Sequence, residues 1–270
     1  MDLARFFAWL DRALGGGARP GSDSGFVSRG GLLPAMRNDV PLRSDSQPLA
    51  MAALLSVDGG GQFLLCGAER LTLGHVRAGR ADLGFLADLG ALHATLVRAD
   101  SLQDGPGWRI EPCGAERVCV AGVPLAGGRR LAPHERVRLG ENLEFEVRAP
   151  DAASASVVLE LLHGVECAGA RHVVLLARGP GGRVRIGAAL GHHVRVPGLA
   201  FDLALEWHAG ELHVRSEEPL AGAITGEHGV LPFPPRTRLA LSCGPARGSH
   251  PPFGLSFEPV ERLAGGGGRP

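Results

Sequence analysis

The 270-residue sequence has no lysine and no tyrosine, and its 28 arginines are matched by 28 acidic residues, leaving a formal net charge of zero. Without lysine there is no Schiff-base amine and no lysine of a phosphate-binding loop. Without net positive charge there is no electrostatic footprint for nucleic acid, and no polybasic stretch to hold a membrane surface. No apolar run approaches the roughly 18–20 residues needed to cross a bilayer. The N-terminus shows no basic segment followed by a long apolar one, so a secretory leader is not expected. The five cysteines (Cys66, Cys113, Cys119, Cys167, Cys243) are an odd number with no CxxC spacing. They predict reduced, mostly buried thiols in a cytoplasmic protein rather than a disulfide framework or zinc ribbon.

Catalytic signatures are missing too. There is no GxSxG elbow, no Cys–His motif and no HExxH or HxH pattern. The eleven histidines, including adjacent His192 and His193, are expected at the surface or in turns. The glycine clusters at 59–61 and 179–182 precede strands rather than helices, so they read as turns and not phosphate cradles. No catalytic residue, metal ligand or cofactor is therefore expected.

What is abundant is punctuation: 41 glycines and 20 prolines, with 44% hydrophobic residues. That balance favours short elements, many turns and a real core. Residues 1–14 read as an amphipathic helix, with Leu3, Phe6, Phe7, Leu10, Ala13 and Leu14 at helical spacing and Trp9 beside the stripe. So short a helix must dock on something, either its own domain or a partner. Phe6, Phe7, Trp9 and Leu10 are its candidate partner-binding residues. Residues 15–50 have little periodicity and read as a flexible linker.

From about residue 51 the period changes to two. Arg136–Leu139 and Leu143–Val147 alternate polar and apolar residues, as half-buried antiparallel strands do. Four strand motifs then recur in order. Leu71-Thr72-Leu73-Gly74 is matched by Val184-Arg185-Ile186-Gly187, and Leu92–Leu96 by Phe201–Leu205. Trp108-Arg109-Ile110 is matched by Leu212-His213-Val214, and Leu143–Val147 by Leu255–Val260. A repeat of this size indicates a duplicated β-module rather than a solenoid unit. The expected fold is all-β: two antiparallel sandwiches in tandem, over 51–150 and 156–262, before a tail at 263–270.

The first module resembles a forkhead-associated (FHA) domain over about residues 62–148. The resemblance rests on the succession Leu71-Thr72-Leu73-Gly74-His75, Asp82-Leu83, Gly90-Ala91-Leu92-His93-Ala94, Trp108-Arg109-Ile110 and Leu131 to Gly140. Residues 172–260 look like a second, more divergent member. Such domains bind phosphothreonine peptides at one end of the sandwich, through an Arg after the first Gly, a Ser before x-x-His and an Asn in the next loop. Those positions here hold His75, Gly90 and Glu116, so the phosphate ligands are lost and an acid replaces the Asn. His93 matches the family histidine and is expected to brace the loop. A rebuilt anion pocket would use His75, Arg77 and Arg80. The resemblance therefore implies a protein partner, phosphorylated only if that pocket works. Nucleic acid and membrane partners are not expected. A third possibility is a structural subunit recruited by the N-terminal helix. The four threonines (Thr72, Thr95, Thr225, Thr237) all fall outside residues 1–50, so that arm offers no phosphothreonine for an intramolecular switch.

Overall fold

The computed structural model describes residues 51–99, 106–178, 181–208, 211–216, 220–221, 230–233, 236–243 and 253–260. The expected N-terminal helix, the arm at 15–50 and the tail at 263–270 lie outside them. Among the described residues the secondary structure is strand throughout, apart from one 3-10 turn, η1 (Val76–Ala78). The fold is all-β, as the two-residue periodicity predicts.

Two hairpins organise it. One joins β1 (Met51–Val57) to β2 (Gly61–Gly67), the other β12 (Val157–Leu161) to β13 (His172–Leu176). They meet side by side, β2 parallel to β13, in the middle of one long sheet. Beyond β1 the sheet continues through β21 (Phe253–Pro259) and β20 (Thr237–Cys243) to β18 (Leu220–Ala221). Beyond β12 it continues through β11 (Leu143–Arg148), β10 (Arg136–Leu139) and β7 (Val118–Val120) to β8 (Val123–Pro124).

Two five-stranded sheets cover it. The first has the order β4 (Leu83–Phe85), β3 (Arg70–His75), β5 (Ala94–Arg98), β6 (Trp108–Pro112), β9 (Arg129–Arg130). The second has the order β15 (Val194–Arg195), β14 (Arg183–Gly187), β16 (Leu203–His208), β17 (Glu211–Ser216), β19 (Val230–Pro232). Their registers correspond. Leu71 faces Leu96, which faces Ile110; Val184 faces Leu205, which faces Val214.

The side-chain period explains how one sheet serves two cores. Along β2, Leu64 and Cys66 pack into the core under the first five-stranded sheet, while Phe63 and Leu65 pack into the core under the second. Along β13, Val173 and Leu175 take the first core, Val174 and Leu176 the second. Successive strand residues point to opposite faces, so the two small sheets lie on opposite faces of the long one. Strands buried on both faces need continuous apolar runs, and Phe63–Cys66 and Val173–Leu176 supply them. β10 and β11 are covered on one face only, and their burial alternates residue by residue.

The segment between β11 and β12 is tied into both cores. Trp108, 1% exposed, donates its indole N–H to the Ala155 carbonyl at 3.0 Å. His193, also 1% exposed, lies 3.1 Å from the Ser156 carbonyl through Nε2 and accepts the Arg185 N–H at Nδ1, 3.1 Å away. Ser154 Oγ donates to the Arg183 carbonyl at 2.6 Å.

Candidate functional site

The loops at one end of the first sandwich bring together His75, Gly90, His93 and Glu116. Gly74 permits the approach, because a Cβ there would run into the Ala91 carbonyl oxygen. The next residue, His75, donates its backbone N–H to the Gly90 carbonyl at 3.0 Å. Its imidazole turns the other way, accepting the Arg77 N–H at Nδ1 (3.1 Å) and capping η1. Gly79 closes that turn at φ 64, in the left-handed region.

His93 is 2% exposed. Its Nε2 is 3.0 Å from the Arg117 carbonyl, and its Nδ1 lies 3.2 Å from the Gly90 N–H and 3.1 Å from Glu116 Oε2. One imidazole thus touches both loops that flank the end of the sandwich. The Glu116 carboxylate lies over Gly90 so closely that a Cβ at position 90 would run into Oε1. The space a serine side chain would take at this position is filled by an internal carboxylate.

Beside Glu116 opens a cleft of about 430 Å³, lined by Glu111, Pro112, Gly114 and Ala115 on one side and residues 125–128 on the other. Its charged lining is acidic, Glu111 and Glu116, with the Arg109 Nε 3.4 Å from Glu111 Oε1. Arg77 on the η1 turn and Arg80 just beyond its Gly79 cap are both exposed. Among the described residues they share no hydrogen bond or ion pair with Gly90, His93 or Glu116. Of the three residues expected to form an anion pocket, His75 joins the cluster through its backbone, while the two arginines do not.

Phe6, Phe7, Trp9 and Leu10 lie outside the described residues.

The second sandwich carries a comparable arrangement that the sequence did not disclose. At Gly187, the counterpart of Gly74, a Cβ would run into the Asp202 carboxylate and come within 2.8 Å of His192 Nε2. His192 Nε2 is 3.0 Å from Asp202 Oδ2 without a hydrogen bond between them, and its Nδ1 is 3.0 Å from the Ala189 carbonyl. Asp202 also pairs with Arg185 at 3.1 Å. His192 and His193 lie in the turn before β15, one of the two expected placements, but they are buried there and not at the surface. Both are 1% exposed, His192 seated against Gly187 and Asp202 and His193 between the Arg185 N–H and the Ser156 carbonyl. Adjacent histidines carry no periodic signal, so their burial could not be read from the sequence.

Burial and not activation governs the thiols. Desolvation pushes the Cys66 thiol well above its usual range and the Cys167 thiol up to about 12, so both are protonated and poorly nucleophilic at neutral pH. Cys119 is buried as well, and Cys113 half-buried. Among the described residues no three His, Cys, Asp or Glu side chains converge as metal ligands. No helix of the described residues is long and apolar enough to cross a membrane.

No protein-family model matches the chain, and no curated protein matches it. Among solved structures it is similar to the crystal structure of the MEK1 FHA domain at 15% identity, covering 34% of this chain and 83% of that one with a TM-score of 0.26. It is likewise similar to the MEK1 FHA domain in complex with the HOP1 pThr318 peptide, at 14% identity, over 32% of this chain and 87% of that one with a TM-score of 0.25.

Proposed function

We propose that this protein is a non-enzymatic interaction adaptor built on two degenerate FHA-like sandwiches, and that it binds its protein partner without reading phosphate. One observation carries this: the Glu116 carboxylate lies against Gly90 and His93, where a bound phosphate would have to approach. A dianionic phosphate beside the Glu116 carboxylate is repelled, and Gly90 offers no hydroxyl to hold it. His93 is read as a brace that joins the two loops from within.

The loop ends favour contact over the sheet edges. Strand addition needs a long unpaired edge. Among the described residues the edge strands β4, β8, β9, β15, β18 and β19 each have two or three residues, and β8 ends in Pro124. Such edges offer few free backbone groups.

The test is a phosphothreonine peptide array probed with the full chain, each peptide paired with its unphosphorylated form. Equal capture of both forms, or of neither, is expected. A peptide held tenfold better when phosphorylated would replace this reading with a second one, in which Arg77 and Arg80 form a rebuilt anion site. Their exposure and freedom from described acids favour that alternative, and Arg77→Ala with Arg80→Ala would then abolish the capture. Recruitment into a larger assembly through residues 1–14 predicts instead that deleting them empties a pull-down of its partners. A cytoplasmic location rests on the unpaired thiols.

A further inference from the structure

The order of the long sheet does not follow the order of the sequence repeat. If each repeat closed on itself, its first strand would lie beside its own last strand. Instead β1, the first strand of the first half, pairs with β21, the last strand of the second, with Leu55 opposite Phe257 and Ser56 opposite Ser256. The first strand of the second half, β12, pairs with β11, the last strand of the first, with Phe145 opposite Leu161 and Glu146 opposite Glu160. Read from either end, the sheet passes through the later strands of one half, ending on its last, then the other half's hairpin, then the β2–β13 seam.

Most of the buried residues of β1 and β12 follow the same crossed pattern, while β2 and β13 serve both cores. Ala53, Leu55 and Val57 of β1 pack with Val184, Leu205 and Phe257 of the second half. Leu159 and Leu161 of β12 pack with Leu71, Leu96 and Phe145 of the first. All of these residues are at most 4% exposed. The chain between β11 and β12 is fastened to both cores through Trp108 and His193, so it does not behave as a spacer between independent bodies.

We propose that the chain is a fused pair of mutually completing halves, each donating its N-terminal hairpin to the other's sandwich. The partner surface of each half is the edge of its last strand, β11 or β21, together with the apolar face that the donated hairpin covers. Its occupant is the hairpin of the other half. Neither 51–150 nor 156–260 is then a complete folding unit, although each carries a full copy of the repeat. The proposal is independent of whether the loop end reads phosphate.

The test uses the full chain with a protease recognition sequence inserted between Ala152 and Ala153, both exposed. In that background Ser56→Cys with Ser256→Cys sets two thiols directly opposite one another across β1 and β21. Glu146→Cys with Glu160→Cys does the same across β11 and β12. Directly opposed antiparallel residues have Cα atoms about 4.5–5.5 Å apart, within disulfide reach. After mild oxidation and proteolysis, each pair is expected to hold the two fragments in one band on a non-reducing denaturing gel. Each single-cysteine variant should give two. A variant that loses its far-ultraviolet β spectrum is set aside and the other pair decides. Two bands from a folded double variant whose introduced thiols remain free would mean that each half closes on its own hairpin, and would overturn the proposal.

Discussion

At the scale of single residues, histidine burial has the clearest consequences. Burial holds the His193 imidazole down to about 4, the Ser156 and Asp151 contacts only partly opposing it. A folded-state value below the unfolded one, near 6.5, means that the unfolded chain binds the extra proton first. Stability contributed by neutral His193 is complete above about pH 6.5 and is lost as pH falls toward 4, by about 3 kcal/mol at most. Urea midpoints measured across that range should fall for the native protein and flatten for His193→Gln. His93→Ala removes the ring contacts to the Arg117 carbonyl and Gly90 N–H. It should lower unfolding free energy by about 2–3 kcal/mol in chemical denaturation. The Glu116–Gly90 arrangement makes a converse prediction. On the proposed reading, His75→Arg, Gly90→Ser and Glu116→Asn together should confer about tenfold preference for phosphothreonine over threonine peptides in calorimetry, whereas Gly90→Ser alone should not, since its hydroxyl meets the carboxylate.

At the scale of elements, what could be read from the sequence depended on how many faces a strand buries. Arg136–Leu139 and Leu143–Val147 alternate because one face is wet, and the structure places β10 and β11 there. The recurrence of Leu71–Gly74 as Val184–Gly187 likewise marks β3 and β14, which share register with their neighbours. Phe63–Cys66 and Val173–Leu176 show no alternation, and periodicity cannot distinguish such runs from any other buried segment. Their role at the centre of the long sheet was therefore illegible, as was the pairing of β1 with β21 some 200 residues away. The candidate site was half legible. The identities of His75, Gly90, His93 and Glu116 could be read from the sequence, but the seating of Glu116 on Gly90 depends on loop geometry alone. Gly67 illustrates the same limit. It is the last residue of β2, in a strand and not a turn conformation, and a Cβ there would come 2.8 Å from Trp207 Cζ2. Gly67→Ala should cost about 1–3 kcal/mol by overpacking, measurable as a lower urea midpoint.

At the scale of the whole molecule, two cores that share β2 and β13 should not melt separately. Leu161 is 3% exposed in the first core, and Leu161→Ala should cost about 2–5 kcal/mol. Calorimetry should then show one transition moved to lower temperature. Two resolved peaks, only one of them displaced, would show that the sandwiches unfold independently. The doubly covered strands also set a gradient in how long backbone amides keep their original protons. Solvent reaches β8 and β18 first, at the rims of the sheet, and reaches Leu64–Cys66 and Val174–Leu175 only when both covering sheets have come away. In deuterated water those few central amides should be the last to exchange, at the rate of global opening. The slowest clock in the protein would then run where its two halves meet, rather than at the middle of either one.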